Sequence, residues 1–105
     1  MITRIWHGKT KATDAEIYLK YIRETGLKDY IETEGNISAK VLRNIEGDIC
    51  HFYTITEWKD IESIKKFAGT DYKKARYYPE DKKYLLEFEE IVNHYETFYG
   101  SKQRS

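Results

Sequence analysis

The side chains in this 105-residue chain that could do chemistry are three histidines, His7, His51 and His94, and an Arg76-Tyr77-Tyr78 triplet just before the single proline, Pro79. An imidazole can take a proton near neutral pH, donate a hydrogen bond or ligate a metal. No close pair of His or Cys stands at ligand spacing, so neither a metal nor another cofactor is assigned. A guanidinium flanked by phenols suits a different task, binding an oxyanion at a pocket mouth. Each group also has a plainer reading: a histidine hydrogen-bonded for structure, and Arg76 paired with Glu80 or Asp81 to fasten its loop. The whole stretch from Gly69 to Asp81 is loop-like, aromatic and charged, as expected of a segment that touches a ligand.

The elements that must position these groups follow from periodicity. Residues 2–9 alternate as a strand, with Ile2, Arg4 and Trp6 on one face and Thr3, Ile5 and His7 on the other. Thr13-Asp14-Ala15-Glu16 reads as a capping box opening a helix through Ala15, Tyr18, Leu19 and Ile22, with Gly26 as its left-handed stop and a loose further turn at Leu27 to Ile31. Glu34-Gly35-Asn36 is a turn, and Ile37 to Ile45 and Ile49 to Trp58 form a hairpin about Glu46-Gly47-Asp48. Asp60 caps a second helix whose stripe is Ile61, Ile64, Phe67 and Ala68 and whose stop is Gly69. Asp71 is expected to cap a short turn through Arg76, and Tyr78 to be extended before Pro79. Tyr84, Leu85, Leu86 and Phe88 form an apolar plug, and Ile91 to Tyr99 is the closing strand. Residues 100–105 are a polar tail expected to fray.

The order strand, helix, strand, strand, helix, strand is that of an α+β, ferredoxin-like βαββαβ unit. Its four-stranded antiparallel sheet has the spatial order four, one, three, two, with both helices on one face, in a single domain over residues 1–99. Apolar groups on both strand faces leave the uncovered face to meet a second copy, so a homodimer is expected. The end of strand one lies beside the starts of strands three and four, so the three histidines could gather at one end of the sheet, provided the register puts them on one face.

Composition narrows the function classes. Lys plus Arg and Asp plus Glu both number 18, which gives no net field for nucleic acid or an anionic membrane. No apolar run approaches the roughly 18 residues of a membrane span, and the N-terminus lacks a signal-peptide core. The single cysteine, Cys50, sits in a strand-like apolar run, fitting a buried thiol in a reducing, cytoplasmic compartment. No phosphate loop, nucleophile elbow, zinc spacing or dinucleotide fingerprint is present.

Several features together resemble the antibiotic biosynthesis monooxygenase-like family of dimeric α+β barrels over roughly residues 1–99: Gly35-Asn36 entering strand two, the hairpin at Glu46-Gly47-Asp48, and Trp58 directly before a capped helix. Phe67 on that helix, the segment Asp71 to Arg76, and Tyr95-Glu96 in the last strand complete the likeness. The resemblance implies a pocket between helices and sheet in which phenolic or quinol-like substrates meet O₂ without flavin or metal. A haem-degrading subset uses an asparagine on the first strand, a tryptophan on the second helix and a histidine just after it. The matching positions here hold His7, Phe67 and Arg76, so haem degradation is not carried over.

The resulting expectation is a cofactor-independent monooxygenase or a binder of a small aromatic or quinone-like molecule. His7 or His94 would accept a phenolic proton, Arg76 and Tyr78 would hold the developing charge, and Trp58 and Phe67 would wall the pocket with Tyr18, Tyr77 and His51 about it. Two alternatives stay open: a non-catalytic stress-response or ligand-binding barrel, and a haem- or metal-binding protein. Core or dimer-interface packing is the default reading of Trp6, Trp58 and Phe67, and a core face explains Tyr18 and Tyr21 about as well as a pocket wall does.

Overall fold

The computed structural model describes residues 1–99, so the expected tail at 100–105 lies outside the described residues. Strands β1 (Ile2–Lys11), β2 (Asn36–Glu46), β3 (Ile49–Trp58) and β4 (Asn93–Glu96) form one antiparallel sheet in the order β2-β3-β1-β4. Helices α1 (Ala15–Glu24), α2 (Gly26–Glu32) and α3 (Ile61–Ala68) cover one face, and a one-turn helix α4 (Asp81–Tyr84) follows the proline. This is the ferredoxin-like α+β arrangement and sheet order that the element sequence predicts. None of the helices in the described residues is long and apolar enough to cross a membrane.

The period-2 alternation that marks β1 and β3 is also what sorts their side chains. Arg4, Trp6, Phe52, Thr54, Thr56 and Trp58 point under the helices and are buried, while Ile5, His7, His51, Tyr53 and Ile55 face the open side. One buried cluster joins Trp6, Phe52, Tyr18 and Ile22, and a second joins Tyr30, Trp58, Ile64 and Phe67. The Trp6 ring lies against Gly8 of its own strand. Any Cβ at Gly8 would meet that ring at 2.4 Å, so glycine is what allows Trp6 to take this position.

Asp60 caps α3 as expected, its carboxylate accepting from the Ser63 amide at 2.8 Å, and Gly69 ends the helix with φ +86°. Other local expectations are corrected. The capping box does not form, because Ala12–Asp14 make a 3-10 turn and Asp14, not Thr13, becomes the N-cap of α1 without a side-chain bond. Gly26 is not a left-handed stop. The break falls at Thr25, whose hydroxyl donates back to the Tyr21 carbonyl at 2.7 Å, and Gly26 opens a real second helix in place of a loose turn.

Asp71 starts a turn that ends at Lys74, and residues 73–75 pair with residues 90–92. The plug is anchored by the Leu86 amide donating to the Lys9 carbonyl at 2.9 Å. Together these contacts hold residues 86–92 outside the sheet ladder, so β4 starts at Asn93 and not at Ile91; at its other end it stops at Glu96, opposite Ile2 where β1 begins, and spans four residues in place of the expected nine.

Candidate functional site

A cavity of about 30 Å³ lies between α1, α2 and the covered face of the sheet. Its floor is Arg4, Trp6 and Thr54 from the strands. Its walls are Tyr18 and Ile22 of α1, Thr25 and Gly26 at the helix break, and Tyr30 of α2. Arg76, Tyr78 and Asp81 close it. The helix break therefore has a positional role: it redirects α2 so that Tyr30 lies over β3, where its phenol and the Thr54 hydroxyl are 3.1 Å apart.

The closing segment is latched by two carboxylates. Asp81, 4% exposed, accepts from the Tyr18 hydroxyl at 2.7 Å and from the Tyr78 amide at 2.6 Å, which ties the chain around Pro79. Asp29 on α2 accepts from the Tyr78 hydroxyl at 2.5 Å and lies 3.5 Å from the Arg76 guanidinium. Arg76 also donates to the Phe67 carbonyl at 3.0 Å and stacks between the Phe67 and Tyr78 rings, at 4.9 and 5.1 Å from their centres. The expected alternative pairing of Arg76 with Glu80 or Asp81 is not what forms, since Glu80 pairs with Lys83 and Asp81 is taken by tyrosine donors.

Arg4 is the unusual member. It is 2% exposed, stacks over Phe67 at 5.3 Å, and makes no ion pair among the described residues. Its Nε and Nη2, Trp6 Nε1 and the ring Nε2 of His94 are buried without a partner in hydrogen-bond geometry among those residues, and the Tyr30 phenol lies beside the guanidinium. Burial pulls the guanidinium pKa down. Burial first, and the charge of Arg4 second, hold the neighbouring His94 down at about 4, so its ring is neutral at pH 7. Burial, reinforced by the carboxylates each one faces, pushes Tyr18 and Tyr78 well above the usual phenol range, so both hydroxyls act as donors.

Of the residues singled out by sequence, Tyr18, Arg76 and Tyr78 line the cavity. Phe67 backs both arginines. Trp58 is fully buried in the core, its indole N–H donating to the Thr56 hydroxyl at 2.8 Å, and it does not reach the cavity. Tyr77 packs edge-on against Trp6 and donates to the Glu89 carbonyl.

The three histidines do not gather. Strand register pairs His94 with Arg4 on the covered face, where it meets Tyr72 edge-on, and puts His7 and His51 on the open face. There, Glu89 meets His7 Nδ1 at 2.5 Å, His7 Nε2 meets His51 Nδ1 at 3.0 Å, and His51 Nε2 lies 3.1 Å from Glu46. Tyr53 stacks on His7 at 4.7 Å. The set is closed on itself, and no group of three or more possible metal ligands occurs among the described residues.

Sequence reasoning passed over Arg4, Trp6, Tyr30, Thr54, Asp29 and Asp81 as site residues. For Arg4 a signal existed: a charge on the same strand face as Ile2 and Trp6. Two larger hollows, of about 420 and 390 Å³, lie beside Lys11 and Leu86 and beside Glu57 and Tyr99, and neither holds an unpartnered buried donor.

No protein-family model and no curated protein matches this chain. Solved structures do. The fold is that of an antibiotic biosynthesis monooxygenase crystal structure, at 18% identity and a TM-score of 0.68 over 94% of this chain and all of that one. It is also that of a mutant of MhuD, solved with two manganese protoporphyrin IX molecules per active site, at 14% identity and a TM-score of 0.61 over 98% of this chain and all of that one. At these identities the likeness is one of fold. Among the described residues no imidazole lines the cavity, so its lining offers no histidine to a protoporphyrin iron.

Proposed function

We propose that this protein binds a small aromatic or quinone-like molecule in the covered-face cavity and acts as a cytoplasmic homodimer joined through the open sheet face. The observation that carries the binding reading is an aromatic-walled cavity (Trp6, Tyr18, Tyr30, Tyr78) with guanidinium groups at its floor and mouth. About 30 Å³ is room for a water-sized group, whereas a benzene ring needs roughly 150 Å³. Entry therefore requires residues 76–81 to lift from Asp29 and from the Tyr18–Asp81 bond. The dimer reading rests on Ile5, Leu42, Tyr53, Ile55 and Tyr95, which lie together on the open face.

Monooxygenation is the finer form of this reading. Arg76 and Arg4 would stabilise a bound phenolate, closure would exclude water, and O₂ would meet the electron-rich ring. Neither histidine expected to act as the base meets a phenol there: His7 lies on the opposite face, and His94, on the covered face, is not among the residues that line the cavity. The test is titration of the full chain with a set of dihydroxyaromatics, reading tryptophan fluorescence and oxygen uptake together. Binding with uptake that Arg76→Met abolishes supports the enzyme. Binding without uptake supports a retaining barrel. No binding across the set contradicts the reading.

A further inference from the structure

The buried donors on the covered face have a definite shape. Nε and Nη2 lie on the same edge of the Arg4 guanidinium, where their N–H bonds run parallel, and neither meets an acceptor among the described residues. The indole N–H of Trp6, which lines the same cavity, has no acceptor in hydrogen-bond geometry but lies beside the Tyr77 phenol. The nearby carboxylates are committed: Asp81 to Tyr18 and the Tyr78 amide, Asp29 to Tyr78 and Arg76. A guanidinium this buried with no counter-ion is among the most costly arrangements in a protein interior, and an anion supplied from outside removes the cost. A second copy docked on the open face cannot supply it, because Arg4 points to the other side of the sheet.

Resting on the small-aromatic reading above, we propose that the ligand is an aromatic acid whose carboxylate is held bidentate by the Nε–Nη2 edge of Arg4. Two parallel N–H donors match the two oxygens of one carboxylate, whereas a quinone carbonyl or a phenol hydroxyl occupies only one of them. The closed cavity admits only a water-sized group, and Arg4 Nε and Nη2 are fully covered in it, so carboxylate and ring both enter the space that residues 76–81 vacate. Arg76, at the mouth and already bonded to Phe67 and Asp29, is left to meet the ring and its substituents.

The experiment compares calorimetric titrations of the full chain with 2,5-dihydroxybenzoate, its neutral amide 2,5-dihydroxybenzamide, and hydroquinone. It uses the wild type, Arg4→Met, Arg4→Lys and Arg76→Met. The acid should bind roughly 10- to 100-fold more tightly than the amide, as a charge-assisted pair replacing an unmet donor implies. Arg4→Met should abolish that preference, Arg4→Lys should lose most of it because an ammonium lacks the fork, and Arg76→Met should keep it. Should Arg4→Met fail to fold, the lysine variant carries the comparison. Equal binding of acid and amide by the wild type overturns this inference and leaves the aromatic reading standing. If no aromatic binds, that reading falls, and thermal stabilisation by sodium acetate decides the fork alone: present in the wild type and lost in Arg4→Lys supports it, absent in the wild type overturns it.

Discussion

The two faces of one sheet carry opposite kinds of polar chemistry. On the open face, Glu89, His7, His51 and Glu46 join into a chain in which every ring nitrogen has a partner. On the covered face, one residue away along β1, Arg4 and Trp6 bury three donors that have none among the described residues. Grouping of titratable side chains therefore misleads as a guide to function. The histidine pair looks more like an active site, yet its valences are spent inside the chain, while the isolated arginine has valences still to fill.

Breaking this contrast starts with the core that supports it. Trp58→Ala, at a fully buried position, should cost roughly 3–5 kcal/mol of stability in urea denaturation. Ile31→Ala, on α2 and 64% exposed, should cost no more than about 1 kcal/mol in the same assay. Comparable losses would mean that the outer side of the helix layer is packed too.

Charge placed on that face probes the dimer. Ile55→Glu should weaken self-association by about 100-fold, equivalent to ~3 kcal/mol, in light scattering across a dilution series, with the far-ultraviolet spectrum unchanged. A wild type that is monomeric throughout the series contradicts the interface.

The latch is the next step down. Asp81→Asn keeps the volume but puts an amide donor where two donors converge, so it should cost about 1–3 kcal/mol. Hydrogen exchange at the Tyr78 amide should accelerate, because closure is held there. An unchanged rate would mean that the segment is held by something else.

His94 gives the smallest effect. Its folded pKa of about 4 lies below its ordinary 6.5, so between these values the unfolded chain binds a proton that the folded one refuses. Its contribution is complete above pH 6.5 and is lost as pH falls towards 4. His94→Gln should flatten that part of the stability profile, and a variant profile as steep as the wild type would assign the slope to other groups.

How much of this was legible in the sequence depends on how local each cause is. The hairpin strands and α3 were readable because alternation, a cap and a glycine stop act within a few residues. The capping box and Gly26 misled because their residues were claimed by a 3-10 turn and by the Thr25 break. β4 came out short at its start because Lys73, Ala75 and Lys9 compete for its leading segment across the fold. In the site, Arg76 and Tyr78 were named from chemical type and their place in an aromatic, charged loop, and Tyr18 from helical spacing. The histidine cluster failed on register, which no local signal specifies. Asp29, Asp81 and Tyr30 acquire their roles only through long-range contacts, but Arg4 was visible as a charge on an apolar strand face.

The central claim is that ligand meets the covered face and not the histidine face. Nuclear magnetic resonance can follow the Arg4 Nε–H, the Trp6 Nε1–H and the ring protons of His7 and His51 in one titration with 2,5-dihydroxybenzoate. The account predicts that the Arg4 and Trp6 signals shift saturably while those of His7 and His51 stay in place. Saturable shifts of His7 and His51 with Arg4 and Trp6 unmoved would contradict it.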